Sequence, residues 1–338
     1  MMSVKENYLR ALRHEKTDRI PMETEETIYC GFGSFAAASE METGPFGGGL
    51  DWFGVEWVAP ESGGGNPLPA PGKFLLEDIC DWREVVKFPD VDAYHWAEDA
   101  AANFEGFDRE KMVVLYGDGN GCFDRLNVLM GFENALIALV TEPEECAAFF
   151  DALIDYKIKR LDKIVEHFHP DVICVYDDVA TQMNPFMSPA VYRALISPRH
   201  KRLADEIKKR GIIPILHCCG RAEDLIEDFI DEGFACWSSV QPVNDIPALL
   251  EKYGDRIALA GGYDSNGKPG STADVEIIRK EIVRCCESYG YHNGYIFFGF
   301  SLLPECECNS PEEVWAPTGI VSEEFVKYAT ENAKKYRG

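Results

Sequence analysis

The sequence predicts an α/β fold, a (β/α)8 TIM-type barrel with an N-terminal loop and hairpin elaboration. Three observations predict it. From about residue 111 short apolar runs alternate with amphipathic stretches across brief connections, the pattern of parallel strands joined by right-handed crossovers. The apolar runs number seven or eight. Polar and ligating side chains follow most of the runs instead of gathering at one crevice, which suits a closed barrel mouth better than an open sheet. The 338 residues read as one barrel domain, 1–338, with 24–110 as an irregular elaboration.

Each element has a local reason. Residues 5–14 place Tyr8, Leu9 and Leu12 on one helical face, and 19–22 read as a short strand. Glycine triplets and prolines between 27 and 71 indicate turns and long loops, within which 51–58 reads as a strand. Strands are then expected at 112–116, 172–176, 212–216, 234–240, 257–260 and 295–300. Helices are expected at 144–167, 189–209, 222–231, 246–253, 273–289 and 323–335. Pro143 sits near the start of the first of these helices, where its missing N–H costs nothing.

Composition bounds the function. The hydrophobic fraction of 46% supports a large core, and the formal net charge is −25. That charge argues against a nucleic-acid partner, whose phosphates a basic surface would have to neutralise, and disfavours anionic membrane surfaces. Residues 1–13 are polar and amphipathic, unlike a signal peptide, and no apolar run approaches a membrane span. A reduced, cytoplasmic setting is therefore expected, with most of the twelve cysteines packed as small hydrophobes.

The ligating residues stand out against this background. His217 and Cys219 end an apolar run and face the same side, because strand side chains alternate. The pair reads either as two zinc ligands awaiting a third or as a buried histidine beside packed thiols. Cys218 should point the opposite way, into core. Cys306 or Cys308, in the loop after the last strand, would complete a three-ligand site; otherwise they are incidental loop cysteines. Asp177 and Asp178 follow a strand directly and read as general acid or base groups, or as an N-cap or solvated turn. Collected around one mouth, Asp177, Asp178 and Glu23 are the expected catalytic residues. Asp118, Tyr176, Gln241 and Asp264 are the expected substrate-binding residues. The glycine-rich run 117–121 lacks the Lys-Ser/Thr ending of a phosphate loop.

Several segments together resemble the uroporphyrinogen decarboxylase superfamily, in particular its corrinoid-linked methyltransferase branch. They are Thr17-Asp18-Arg19-Ile20-Pro21, Asp51-Trp52-Phe53-Gly54-Val55-Glu56-Trp57, Asp177-Asp178 with Ser188-Pro189, and Ile215-Leu216-His217-Cys218-Cys219-Gly220. Tyr253-Gly254-Asp255-Arg256-Ile257 leading to Gly261-Gly262, and Gly294-Tyr295-Ile296, complete the set. The resemblance implies a (β/α)8 barrel. It also implies Zn2+ held by a His-x-Cys element and a later cysteine, here His217, Cys219 and Cys306 or Cys308. The usual later cysteine would fall near residues 302–304, so Glu23, Asp177 or Glu305 is an alternative third ligand, and a site without metal is another. The implied reaction moves a methyl group between a small methyl donor or acceptor, an ether or a thiol, and a corrinoid (cobalamin) carried by a separate partner protein. Trp52, Phe53, Trp57, Tyr176 and Phe186 would line an apolar pocket for an aryl ether, or are ordinary core. The alternatives are a uroporphyrinogen-type decarboxylase and a non-catalytic barrel that binds a ligand or a corrinoid protein. The decarboxylase branch carries a basic loop after the first strand, whereas this chain has Glu23, Glu25 and Glu26 there.

Overall fold

The computed structural model describes residues 2–23, 26–31, 49–58, 68–304, 308 and 310–338. The chain opens with helix α1 (Val4–Leu12), whose N-cap Ser3 accepts a hydrogen bond from Glu6 N. The barrel strands are β1 (Thr27–Cys30), β5 (Val113–Asp118), β6 (Val172–Tyr176), β7 (Ile213–His217), β8 (Cys236–Val240), β9 (Ala258–Gly262) and β10 (Tyr295–Phe298). Every neighbouring pair is parallel, in the order β1-β5-β6-β7-β8-β9-β10. The sheet curls until its edges meet. Phe297 N donates to Pro21 O at 2.8 Å and Glu23 N donates to Phe297 O at 2.9 Å, so the segment entering β1 also pairs with β10.

The crossovers carry α4 (Cys122–Met130), α5 (Phe132–Thr141) and α6 (Pro143–Phe168) after β5, and α7 (Pro189–Leu195) and α8 (Ser197–Lys209) after β6. α9 (Ile226–Glu232), α10 (Ile246–Tyr253) and α11 (Val275–Tyr289) follow β7, β8 and β9, and α12 (Pro311–Glu331) and α13 (Ala333–Arg337) end the chain. None of the described helices is long and apolar enough to cross a membrane.

Two cores follow from strand alternation. Val113, Leu115, Val172, Cys174, Ile215, Cys236, Ala260 and Ile296 point inward and pack on Tyr8, Leu9 and Leu12 of α1, which plug the N-terminal end of the barrel. The outward residues pack with the helices in a much larger shell.

Region 24–110 is not wholly an irregular elaboration: β1 lies inside it and is a barrel strand. Its polar approach, with Glu23, Glu25 and Glu26, hides a strand whose own burial is nearly complete. The same region holds α2 (Trp82–Val85), α3 (Trp96–Phe104) and a small antiparallel sheet of β2 (Gly49–Leu50), β3 (Glu56–Val58) and β4 (Leu68–Pro69). The expected helix over 189–209 is two helices, divided at Ile196 because Pro198 cannot donate in mid-helix and starts a new first turn.

Candidate metal centre

Inward alternation along β6 and β7 delivers Tyr176 and His217 side by side at the C-terminal mouth. Their rings stack at 4.4 Å between centroids, 27° apart. One turn further, Cys219 Sγ lies 3.5 Å from His217 Nε2. Asp178 completes the cluster: one ligand atom each from Asp178, His217 and Cys219 lie within 4.8 Å of one another. Asp178 also accepts the Cys219 backbone N–H at 2.6 Å, which ties the two strand ends together. Cys218 is fully buried in the outer shell, as alternation requires.

The turn bearing these groups is tightly built. Gly220 has φ +84°, and a Cβ there would come within 2.6 Å of both Ala180 O and Thr181 O, so glycine is required. Gly220 N donates to Gln241 Oε1 at 3.1 Å, and Asn244 Nδ2 donates to Gly220 O at 2.9 Å. Gln241, expected to bind substrate, thus braces the turn.

The donor set suits a soft divalent cation. Burial pulls the His217 pKa down against the opposing pull of Asp178, keeping the imidazole neutral as a ligand must be. His217 Nδ1 is buried with no hydrogen-bond partner. Burial, Asp178 and Asp124 push the Cys219 thiol well above its ordinary value. Imidazole, thiol and carboxylate therefore converge without a counter-charge, an arrangement that a zinc ion would satisfy. Cys306 lies outside the described residues. Cys308 is half-buried and is not among the three clustered groups. Asp178 is the third group that sequence reasoning missed in this role, although the alternation that paired His217 with Cys219 applies equally to β6.

Several expected site residues prove to be scaffold. Asp177 is completely buried and turned outward. Its carboxylate accepts from Asp124 N at 2.9 Å, Phe123 N at 3.3 Å and His200 Nε2 at 2.9 Å, so it caps α4 and has no face toward the mouth. Gly121 lies so close to it that a Cβ would sit 2.3 Å from Asp177 Cβ. His200 in turn meets Tyr192 and Glu232. Burial opposes its charge, but Asp177 and Glu232 outweigh it and raise its pKa to about 10. Asp118 also points outward, to Lys157 at 3.1 Å and to Arg160. Burial acts to raise its carboxyl, yet these two cations hold it below the ordinary range. It binds α6 to β5. Asp264 accepts Gly267 N at 2.9 Å and closes its own turn. Among the expected aromatic pocket residues, Phe53 and Trp57 belong to the outer shell and its border.

Glu23 does face the barrel interior. It is completely buried, accepts from Ser238 Oγ at 3.0 Å, and its Oε2 has no partner. Burial raises its pKa to about 7, against the hydrogen bond from Ser238. One further mouth carboxyl is Asp124, partly exposed on the first turn of α4, whose Oδ2 accepts Asp178 N at 3.1 Å. Burial and the adjacent Asp177 and Asp178 charges push it well above the ordinary carboxylate range. Its sequence signal was only its place behind the glycine run 117–121.

Comparison with known proteins fits this geometry. Residues 105–315 match the family described as uroporphyrinogen decarboxylase (URO-D). A methylated-thiol–coenzyme M methyltransferase of Methanosarcina mazei is 30% identical over 110 residues, 32% of this chain and 28% of that protein. The methylcobamide:CoM methyltransferase MtaA of Methanosarcina barkeri is 28% identical over 95 residues, 28% of this chain and 26% of that protein. The matched segment thus spans about a quarter of the length of these curated relatives. A solved methyltransferase from Methanosarcina mazei shares the fold with a TM-score of 0.67 at 17% identity, covering 97% of this chain and 99% of that one.

Proposed function

From the premise that the chain belongs to the uroporphyrinogen decarboxylase family, we propose that it is a zinc-dependent methyltransferase moving a methyl group between a small substrate and a corrinoid carried by a separate protein. The substrate is a methyl ether or a thiol. The observation that carries this reading is the convergence of His217, Cys219 and Asp178 at the mouth, with His217 Nδ1 unpartnered. The likeness to methyltransferases that act on coenzyme M, one of them also on a methylcobamide, supports methyl transfer as the reaction class.

His217, Cys219 and Asp178 would hold the metal, which supplies Lewis acidity toward the substrate sulfur or oxygen. The protein's own groups do the rest. Tyr176 fixes the plane of the imidazole by stacking on it. The hydrogen bond from Cys219 N to Asp178 keeps sulfur and carboxylate in register. The Asp124 carboxyl, held toward its protonated form by burial and by the neighbouring Asp177 and Asp178 charges, is placed to give a proton to a departing oxygen.

Metal analysis tests the reading. Purified protein should carry about one zinc per chain, and His217→Ala and Cys219→Ala should both lose it while retaining the far-UV dichroism of the parent. Wild-type protein that stays metal-free after reconstitution with zinc would refute the assignment. Binding of a corrinoid protein with no methyl transfer to any thiol or from any ether would favour a non-catalytic barrel instead.

A further inference from the structure

Resting on the methyltransferase reading, we infer that the mouth selects its substrate by charge: it admits neutral or cationic methyl ethers and thiols and turns away those bearing a carboxylate or sulfonate. The first ground is the source of cations. Residues 20–72 and 293–326, which flank β1 and β10 and include the undescribed loops there, contain no Lys, Arg or His. The loops after β5 and β6 add none before α4 and α7. Of the loops after β7, β8 and β9, only Arg221 and Lys268 are basic; Arg221 is paired with Glu223 at 2.7 Å and Lys268 is exposed.

The second ground is that the nearby cations and amides are already taken. Arg125 is held by Asp51, Lys157 and Arg160 by Asp118, and His200 by Asp177 and Glu232. The N-terminus of α4 would ordinarily welcome an anion, but its Phe123 and Asp124 N–H groups already bond Asp177. The Cys219 and Gly220 N–H groups are taken by Asp178 and Gln241. What faces the interior is instead aromatic and acidic. Tyr29, Tyr176 and Phe298 pack on the inner cluster. Glu23 is completely buried, faces this interior, and its Oε2 has no partner. Aromatic faces beside carboxylates receive a cation or a neutral ring, whereas an anion would meet like charge at low dielectric.

The test uses matched probes on the zinc-loaded full chain. As acceptors, 2-aminoethanethiol, 2-mercaptoethanol and 2-mercaptoethanesulfonate are compared with methylcobalamin as methyl source. As donors, 4-methoxybenzylamine, 4-methoxybenzyl alcohol and 4-methoxybenzoate are compared with reduced cobalamin. Binding by calorimetry and methyl transfer are both read. The anion of the active series should be at least tenfold poorer than its neutral partner in kcat/KM and in Kd. Added salt and, at pH 8 where Glu23 is ionised, Glu23→Gln should each narrow the gap. An anion that binds and reacts as well as the neutral probe overturns the charge selection while leaving methyl transfer intact. Absence of binding and transfer with all six probes overturns both. A gap that is unchanged by salt and by Glu23→Gln at pH 8 overturns its electrostatic origin.

Discussion

Replacing Arg125 by methionine should destabilise the protein by about 3 kcal/mol, at the low end of the range for breaking a buried ion pair. The guanidinium and the Asp51 carboxylate are each 1% exposed and 2.8 Å apart, and the guanidinium also lies 4.1 Å from the centre of the Phe53 ring. Methionine retains much of the length and apolar contact of Arg125 but deletes the charge, so Asp51 is left ionised and buried. Asp51 keeps two amide donors, Phe53 N at 2.9 Å and Val55 N at 2.8 Å. These soften the loss and place the cost near the bottom of the range. Urea unfolding followed by tryptophan fluorescence is the assay, with the midpoint expected about 1 M lower for a slope of about 3 kcal/mol/M. Removing the second charge in Arg125→Met/Asp51→Asn should recover at least half of the loss. A single variant losing less than about 1 kcal/mol, or strictly additive variants, would refute the reading of Arg125 and Asp51 as a stabilising buried ion pair.

Two further outcomes concern pH. The folded pKa of His200 is raised to about 10 from an unfolded value of about 6.5, so its stabilisation is full below pH 6.5 and is lost as pH rises through 10; urea midpoints should fall across that window, and His200→Gln should flatten the slope. The folded pKa of Glu23 is raised to about 7, and an ionised buried carboxylate penalises folding, so Glu23→Gln should be more stable at pH 8 by at most about 3 kcal/mol, with the difference vanishing below pH 4.5; equal stability at both pH values would contradict the buried placement.

The C-terminal two-thirds of the barrel was legible because its strands are continuous apolar runs buried on both faces, as β6 and β7 illustrate. β1 was not, because four residues between acidic and glycine-rich neighbours carry too short a pattern. α12 was read from its second half only, since Pro317 interrupts it near the start. At the site, alternation predicted that His217 and Cys219 face together and Cys218 apart. The same rule separates Asp177 from Asp178, but only the fold reveals which one faces inward. Asp118 and Asp177 looked catalytic because they end strands; their partners, Lys157, Arg160 and His200, lie on helices far along the chain, and no local pattern announces such pairs.

The plug formed by Tyr8, Leu9 and Leu12 has a consequence for traffic. Among the described residues, this plug leaves the C-terminal mouth as the open end of the barrel. Under the proposed reaction, the small molecule and the bulky carrier protein must share that entrance, so the small molecule has to enter before the carrier seats and the spent product can depart only after it lifts away. Turnover becomes an ordered queue, and an excess of carrier should slow it by blocking the line.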